Sequence, residues 1–182
     1  SDLEEFPYIL SPSQMSRIAV SALPNVLTYH RWRRSFSLAR DGDAFDTFLR
    51  LAGDARRTLL VVRDTGGDVF GAYADSPWTE SRRGKFHGSA LACLWAVRCD
   101  RSWREGQCDA DADESVEVYK WTGANRYIQL MDVGTKMIAF GGGGKAGGFG
   151  LCIEDDFRRG STGPCTTFQN DSLCGQQHFK IV

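Results

Sequence analysis

Two rhythms of apolar and polar positions run along this chain. The first is helical. From Leu10 onward, Met15, Ile18, Ala19 and Ala22 fall on one face of a 3.6-residue period. Ser11 stands where an N-cap belongs, Pro12 suits the first helical position, Gln14 completes a capping box, and Leu10 is placed to staple onto Met15. Pro24 stops the run. Phe45, Phe48, Leu49 and Ala52 repeat the spacing, which predicts a second short helix over Asp43 to Gly53.

The second rhythm has the period of two that belongs to strands. In "RWRRSFSL", Trp32, Phe36 and Leu38 alternate with Arg31, Arg33, Ser35 and Ser37. Arg34 falls on the apolar side, as an edge strand, an ion pair at the core margin, a partner contact or a snorkelling surface arginine would place it. "TLLVVRDTGGDVFGAYA" reads as a hairpin turning at Thr65 to Asp68. "SALACLWAV", Ser89 to Val97, is apolar on both faces, as in a strand with neighbours on either side. Short strands follow over Val116 to Trp121, Tyr127 to Met131, Met137 to Phe140 and Phe149 to Glu154. Many short strands and two short helices predict an α+β, β-rich fold: a two-sheet antiparallel β-sandwich flanked by two or more short helices.

At 182 residues and 42% hydrophobic, the chain supports one domain with a single buried core, residues 1–182. Residues 1–9 form an N-terminal extension to it. Twenty-two basic and 23 acidic side chains leave a charge of −1, which excludes a global attraction to nucleic acid. No apolar run approaches the ~20 residues of a membrane span, so no direct membrane insertion is expected. Residues 99–115 carry six acids against two arginines with almost no periodicity and read as an exposed acidic insertion. Asp109, Asp111 and Asp113 imitate a calcium loop, but Glu114 replaces its glycine and Lys120 its bidentate glutamate.

"AFGGGGKAGGFGLCIED", Ala139 to Asp155, holds seven glycines and one lysine. A P-loop would need a glycine at Ala139 and a hydroxyl at Ala146. A dinucleotide fingerprint would need a helix after the glycines, and Phe149, Leu151 and Ile153 alternate as a strand instead. The stretch is therefore expected to join two strands, with no cofactor.

Six cysteines, at 93, 99, 108, 152, 165 and 174, contain no C-x-x-C, and the three histidines have no metal-ligand spacing. Reduced thiols in a cytoplasmic protein are expected. Cys93 and Cys152 lie in strand patterns and read as inert. Cys99, Cys108, Cys165 and Cys174 lie in loop-like sequence, and Cys165 and Cys174, each able to pair with His178 on paper, are the candidate redox thiols. No nucleophile elbow is present, and no catalytic residue is assigned. Basic clusters at Arg31/Arg33/Arg34, Arg56/Arg57, Arg82/Arg83/Lys85 and Arg158/Arg159 suit a protein partner with an acidic face.

The order of motifs carries the reading further. Leu23-Pro24, Trp32 with Phe36-Ser37, "LLVVRDTGGDVFGAYA" with Trp78, Phe86 and Gly88, then "YKWTGAN", "IAFGGGG", "FGLCIEDDF" and "GSTGPCTTFQNDSL" closely resemble the TLDc domain. The resemblance runs from about Leu10 to the C-terminus and is most specific in the last third. It implies a two-sheet sandwich flanked by helices. It also implies a non-enzymatic role in oxidative-stress protection and partners among the subunits of the vacuolar proton-pumping ATPase (V-ATPase), with recruitment to vacuolar, lysosomal or vesicle membranes through that partner. A thiol-dependent antioxidant or hydrolytic enzyme, or a trafficking module beside a TBC domain, is the alternative. Lys145, Arg158 and Arg159 are the candidate partner contacts. The family usually closes on a further strand with an E-x-W-like motif, so a strand beyond Val182 is expected.

Overall fold

A computed structural model describes residues 2–99 and 114–182. The N-terminal helices are α1 (Asp2–Glu5) and α2 (Pro12–Ser21). Ser11 holds the extended conformation of an N-cap, with Gln14 N donating to its Oγ at 3.1 Å and its own N donating to Gln14 Oε1 at 2.9 Å. Two orphan N–H groups are satisfied reciprocally, which is why the helix begins here. Two further helices, α3 (Leu38–Asp41) and α4 (Phe45–Ala52), precede the first sheet.

That sheet contains β1 (Thr58–Arg63), β2 (Val69–Ala74), β3 (Cys93–Cys99) and β4 (Glu114–Lys120), antiparallel and in sequence order. The second contains β5 (Gln129–Asp132), β6 (Met137–Phe140), β7 (Leu151–Glu154), β8 (Arg159–Thr162) and β9 (His178–Lys180), again an antiparallel meander. The expected α+β sandwich is present, with strands β8 and β9 and helices α1 and α3 beyond those read from the pattern. Three differences are local. The segment from Arg31 to Ser37 has no regular secondary structure and belongs to neither sheet, and Leu38 opens α3 instead of closing a strand. The apolar run from Ser89 enters β3 only at Cys93. The acidic insertion is shorter than its sequence signature, because Cys99, Glu114 and Ser115 are strand residues paired across β3 and β4. The remainder, including Cys108 and the three aspartates of the calcium-like pattern, lies outside the described residues.

Alternation along the strands sorts side chains into three apolar layers. Phe70, Ala72 and Ala74 of β2 and Leu94 and Ala96 of β3 face Met131, Ile138, Phe140, Leu151, Ile153 and Phe179 of the second sheet. The small residues of one sheet leave room for the large ones of the other. Phe70 meets Phe179 edge-on at 5.0 Å, and Trp78 meets Phe140 at 5.2 Å. On the outer face of the first sheet, Tyr73, Cys93 and Trp95 are covered by Leu10, Ile18, Ala22 and Leu27, with Met15 and Trp32 at the margin. Covering a large apolar side chain in this way stabilises the fold by roughly 1.5–3 kcal/mol each.

The two sheets are tied at one corner. Thr65 N donates to Lys180 O at 2.9 Å and Val182 N to Arg63 O at 3.0 Å, so β1 hands its pairing on to the chain after β9. Nearby, Arg98 on β3 reaches across with bonds to Leu173 O and Ser172 O at 3.3 and 2.8 Å. Arg34, the residue out of phase in its segment, lies over the Tyr8 ring, 5.1 Å from its centroid, and donates to Phe6 O. It fastens the N-terminal extension to the body.

The outer face of the second sheet is different. Leu130, Ala139 and Cys152 form a small apolar patch there, covered by Phe86, Met137 and Phe149. Among the described residues no helix lies on it. Side chains from a strap and loops bury these three residues instead.

Candidate functional site

The glycine-rich stretch leaves β6 at Phe140 and enters β7 at Leu151. Gly141 and Gly143 have φ of +75° and +70°, a region that residues with a Cβ enter at a cost. A Cβ at Gly141 would lie 2.5 Å from Cys165 Sγ, and one at Gly143 would lie 2.1 Å from Thr166 Oγ1. Those contacts come from "GPCTTFQN", which packs beneath. Thr167 Oγ1 accepts from Gly142 N at 2.9 Å and donates to Asn125 Oδ1 at 2.7 Å, while Asn125 Nδ2 donates to Thr166 Oγ1 at 2.8 Å. Asn170 organises the far side: its Oδ1 accepts from Cys165 N and Sγ, and its Nδ2 donates to Gly163 O and Asp171 O. Three loops are stitched into one knot. The glycines serve close approach of backbone to side chain, and the segment joins two strands as its periodicity requires.

Lys145 stands exposed at the tip of this loop, beside Ala146, which adopts a left-handed conformation with φ +55°. The knot also positions an aromatic group. Tyr127 follows the Asn125 anchor and leans against Gly142. Its ring lies 5.0 Å from that of Phe86, which in turn lies 6.3 Å from Phe149. Phe86 arrives on a strap running antiparallel beside β5: Gly84 N donates to Met131 O at 2.8 Å, and His87 exchanges two backbone bonds with Gln129 at 2.8 and 3.0 Å. His87 Nε2 lies 3.0 Å from Pro77 O, which holds the end of the strap.

Arg82, Arg83, Lys85, Arg126 and Lys145, on the strap and loops that carry these rings, are all exposed. Among the described residues none of the five takes part in an ion pair. Asp132 lies opposite Arg83 in the strap pairing, and its Oδ1 is occupied in capping the next turn, accepting from Gly134 N at 2.8 Å and Thr135 N at 3.2 Å. The same strap and loops thus carry both the aromatic rings and exposed cations. Sequence reading singled out Lys145 and the Arg82/Arg83/Lys85 cluster. It missed Arg126 and the three aromatic rings, because no spacing announces residues that come from three separate loops.

The other two candidate contacts are already engaged. Arg158 forms two bonds to Asp43 Oδ2, at 2.9 and 3.1 Å, and this pair holds the turn after β7 against the start of α4. Arg159 lies 3.5 Å from Glu154 and 3.8 Å from Asp155. Both arginines remain well exposed, so solvent screens these pairs and they contribute little to stability.

The candidate thiols are buried. Cys165 is 5% exposed and Cys174 6%. Burial pushes the Cys165 thiol above its ordinary value and the Cys174 thiol up to about 11; in the strands, Cys93 and Cys152 are each pushed up to about 12 by the same cause. A thiolate, the reactive species, is thus disfavoured at all four positions. Neither candidate is bonded to His178. Cys165 Sγ donates to Asn170 Oδ1 at 3.1 Å and Cys174 Sγ to Gln176 O at 3.2 Å, whereas His178 sits exposed on the outer side of β9, opposite Ser161. Cys99 is the exposed thiol among the described residues.

No group of three or more His, Cys, Asp or Glu side chains suited to a metal ion occurs among the described residues. No helix there is long and apolar enough to cross a membrane. Two clefts open beside the β1–β2 turn. One is lined by Asp64, Thr65, Gly66, Gly175 and Gln176, the other by a set that includes Gln14, Asp68, Arg98 and Glu114. The second also has Cys99 on its wall, along with the carboxylates of Asp68 and Glu114.

Comparison with known proteins adds what geometry alone does not. Oxidation resistance protein 1 of Cryptococcus neoformans is 28% identical over 178 residues, covering 94% of this chain and 34% of that protein. The protein of the same name from Yarrowia lipolytica is 30% identical over 160 residues, 85% of this chain and 62% of its own. Mouse nuclear receptor coactivator 7 is 28% identical over 160 residues, 87% of this chain and 15% of its own. The chain thus spans between 15% and 62% of the length of these relatives. The family model described as the TLDc domain matches residues 3–182. The chain belongs to the TLDc domain family.

Proposed function

We propose that this chain is a non-enzymatic protein-interaction domain of the oxidative-stress response, and that it binds and regulates the V-ATPase. The observation that carries this reading is family membership across residues 3–182, with relatives whose names record oxidation resistance in one case and coactivation, an activity exerted through other proteins, in another. The chemistry of the surface supports it. Cys165 and Cys174, the candidate thiols, are buried with raised pKa values, while exposed cations and aromatic side chains share the strap and loops beside the second sheet. The domain works in the cytoplasm and reaches vacuolar, lysosomal or vesicle membranes through the pump.

The test is a pull-down with this chain from cytosol and from vacuolar or lysosomal membranes, with and without reductant, read by mass spectrometry. Enrichment of the soluble sector of the pump regardless of reductant is expected. Absence of pump subunits, under conditions where another TLDc domain captures them, would remove the V-ATPase assignment. Partners recovered only as mixed disulfides would turn attention to thiol chemistry.

A further inference from the structure

We infer that the solvent side of the layer covering the first sheet rests on an anionic membrane surface. Val20, Val26 and Tyr29 enter the headgroup region, and Arg31 and Arg33 meet the lipid phosphates. The contact is the domain's own and does not depend on the pump.

Tyr29 is 96% exposed and Val20 and Val26 are each 70% exposed, whereas the other exposed large apolar side chains among the described residues reach 57% at most. The three that project furthest therefore fall within a single stretch, residues 20–29. Exposed apolar residues scattered singly are ordinary; a group of them marks a contact surface.

The three also point the same way. Ile18 and Ala22 of α2, Leu27 and the half-buried Trp32 pack with Tyr73, Cys93 and Trp95, so this stretch lies over one sheet face. Val20 stands about 200° round the helix from Ile18 and is directed away from that face. Beyond α2, Leu27 N donates to Pro24 O at 2.8 Å, Thr28 N to Asn25 O at 3.2 Å and His30 N to Leu27 O at 3.0 Å, which winds the chain into 3-10 turns. Residues three apart eclipse in such turns, so Val26 and Tyr29 project together while Leu27 between them is buried.

Charge selects the occupant. Residues 11–40 contain five arginines and neither aspartate nor glutamate, in a chain whose acids otherwise outnumber its bases. Arg17, Arg34 and Arg40 are engaged within the protein, at Glu114 O, the Tyr8 ring and Asp41. Arg31 and Arg33, on either side of Trp32, are exposed. An acid-free basic segment is drawn to anionic headgroups, and salt screening confines the effect to nearby charges, so the overall charge of −1 does not cancel it.

A bilayer fits this surface better than a protein does. Neither cleft beside the β1–β2 turn includes Val20, Val26 or Tyr29, and these side chains stand out from the fold where a protein partner would have to supply the pocket. A lipid interface takes up projecting apolar and aromatic side chains and lets arginines reach the phosphates. The contact is superficial, since no described helix is long and apolar enough to cross a membrane, and so few side chains hold a protein only reversibly.

The test is flotation of the whole chain with vesicles of phosphatidylcholine, alone or mixed with phosphatidylserine. Binding to the mixed vesicles only, weakening as salt rises, is expected. Val26→Ser/Tyr29→Ser and Arg31→Glu/Arg33→Glu variants should each lose it by about tenfold or more, with unchanged melting temperatures. An Arg82→Glu/Arg83→Glu variant, with the same change of charge on the strap beside the second sheet, should float as the native chain does. No flotation with mixed vesicles overturns the inference, and so does flotation that either of the first two variants retains or that the strap variant loses equally. A protein occupant would show as subunits captured from a detergent extract by the native chain and lost by Val26→Ser/Tyr29→Ser when the vesicles bind neither; that result also overturns it. Because the vesicles hold no protein, failure here leaves the proposed function standing, and failure to capture the pump leaves this inference standing.

Discussion

Phe157 offers a test in which unfolded-chain entropy and native backbone conformation predict opposite orders for the same pair of variants. It ends a run of three residues in the left-handed region, Asp155, Asp156 and Phe157, with φ of +55°, +53° and +64°. Its ring is 6% exposed and lies among Phe48 at 5.1 Å, Phe36 at 5.4 Å and Phe45 at 5.6 Å, so it pins α4 and the segment before α3 to the turn after β7. Phe157→Ala removes that ring. Truncation of a core phenylalanine costs about 3–5 kcal/mol, and a site with three ring neighbours belongs towards the upper end.

Replacing the same residue by glycine removes the ring as well but frees the backbone. At an ordinary site glycine is less stable than alanine by roughly 0.5–1 kcal/mol, because its unfolded chain has more freedom to lose. At φ +64° alanine carries a left-handed penalty of about 1–2 kcal/mol that glycine avoids. The order therefore reverses: Phe157→Gly should be more stable than Phe157→Ala by about 0.5–1 kcal/mol, the difference between those two effects. Urea unfolding followed by tryptophan fluorescence measures it, with Trp78 reporting through its edge contact to Phe48 at 6.3 Å. A glycine variant less stable than the alanine variant would refute the left-handed assignment. An alanine variant within about 1 kcal/mol of the native protein would refute the packing argument.

The glycine knot gives a similar contrast. Gly141→Ala should destabilise severely because its Cβ would meet Cys165 Sγ at 2.5 Å, whereas Gly147→Ala, with equal φ of +75° and open space around it, should lose only about 1 kcal/mol by urea unfolding. Equal losses would show that the space beneath Gly141 is not filled. In a Cys108→Ser background, maleimide labelling of the native chain should be fast at Cys99 alone, with Cys93, Cys152, Cys165 and Cys174 reacting at the rate of local opening. Rapid modification of Cys165 or Cys174, read by peptide mapping, would restore them as redox thiols. Glu117 should contribute to acid stability. A hydrogen bond from Tyr119 and then the Arg98 guanidinium hold its carboxyl below the ordinary glutamate value of 4.5, against a rise from burial. Its folded pKa lies under the unfolded one, so the contribution is complete above about pH 4.5 and is lost as pH falls through the folded value. Glu117→Gln should flatten that acid limb, modestly because the side chain is 49% exposed, and an unchanged limb measured by urea midpoints would reject the linkage.

How far the sequence discloses the fold depends on how local each cause is. The α2 cap is written in four consecutive residues, and its two reciprocal bonds form as Ser11 and Gln14 require. β3 is central because its residues are apolar on both sides, and Leu94 and Trp95 indeed face two different cores. β8 is harder to see. "RGST" has no apolar alternation, and it is a strand because Gly160 lets Phe179 lie against it: a Cβ there would stand 2.6 Å from the ring. The helix α3 depends on Asp41, whose carboxylate accepts from Ser37 N at 2.8 Å, a bond made only after the turn has formed. The signal in such cases lies in the packed partner and not in the segment.

The same distinction separates the candidate residues. Cys165 and Cys174 looked accessible because glycine, serine and asparagine surround them, and in most proteins such residues mark surface loops. Here the polar neighbours are consumed internally. Asn170 alone satisfies one N–H, one thiol and two carbonyls, so the loop can be buried without leaving its polar groups unpaired. A polar composition that pairs with itself can be buried, and one that has no internal counterpart stays at the surface. Lys145 has no ion pair among the described residues, whereas Arg158 is bonded to Asp43, although both read alike as exposed cations in the sequence. What distinguishes them is whether an acid stands within reach in the folded chain, as Asp43 does before α4 for Arg158 in the turn after β7, and that is legible only once the fold has set those segments side by side.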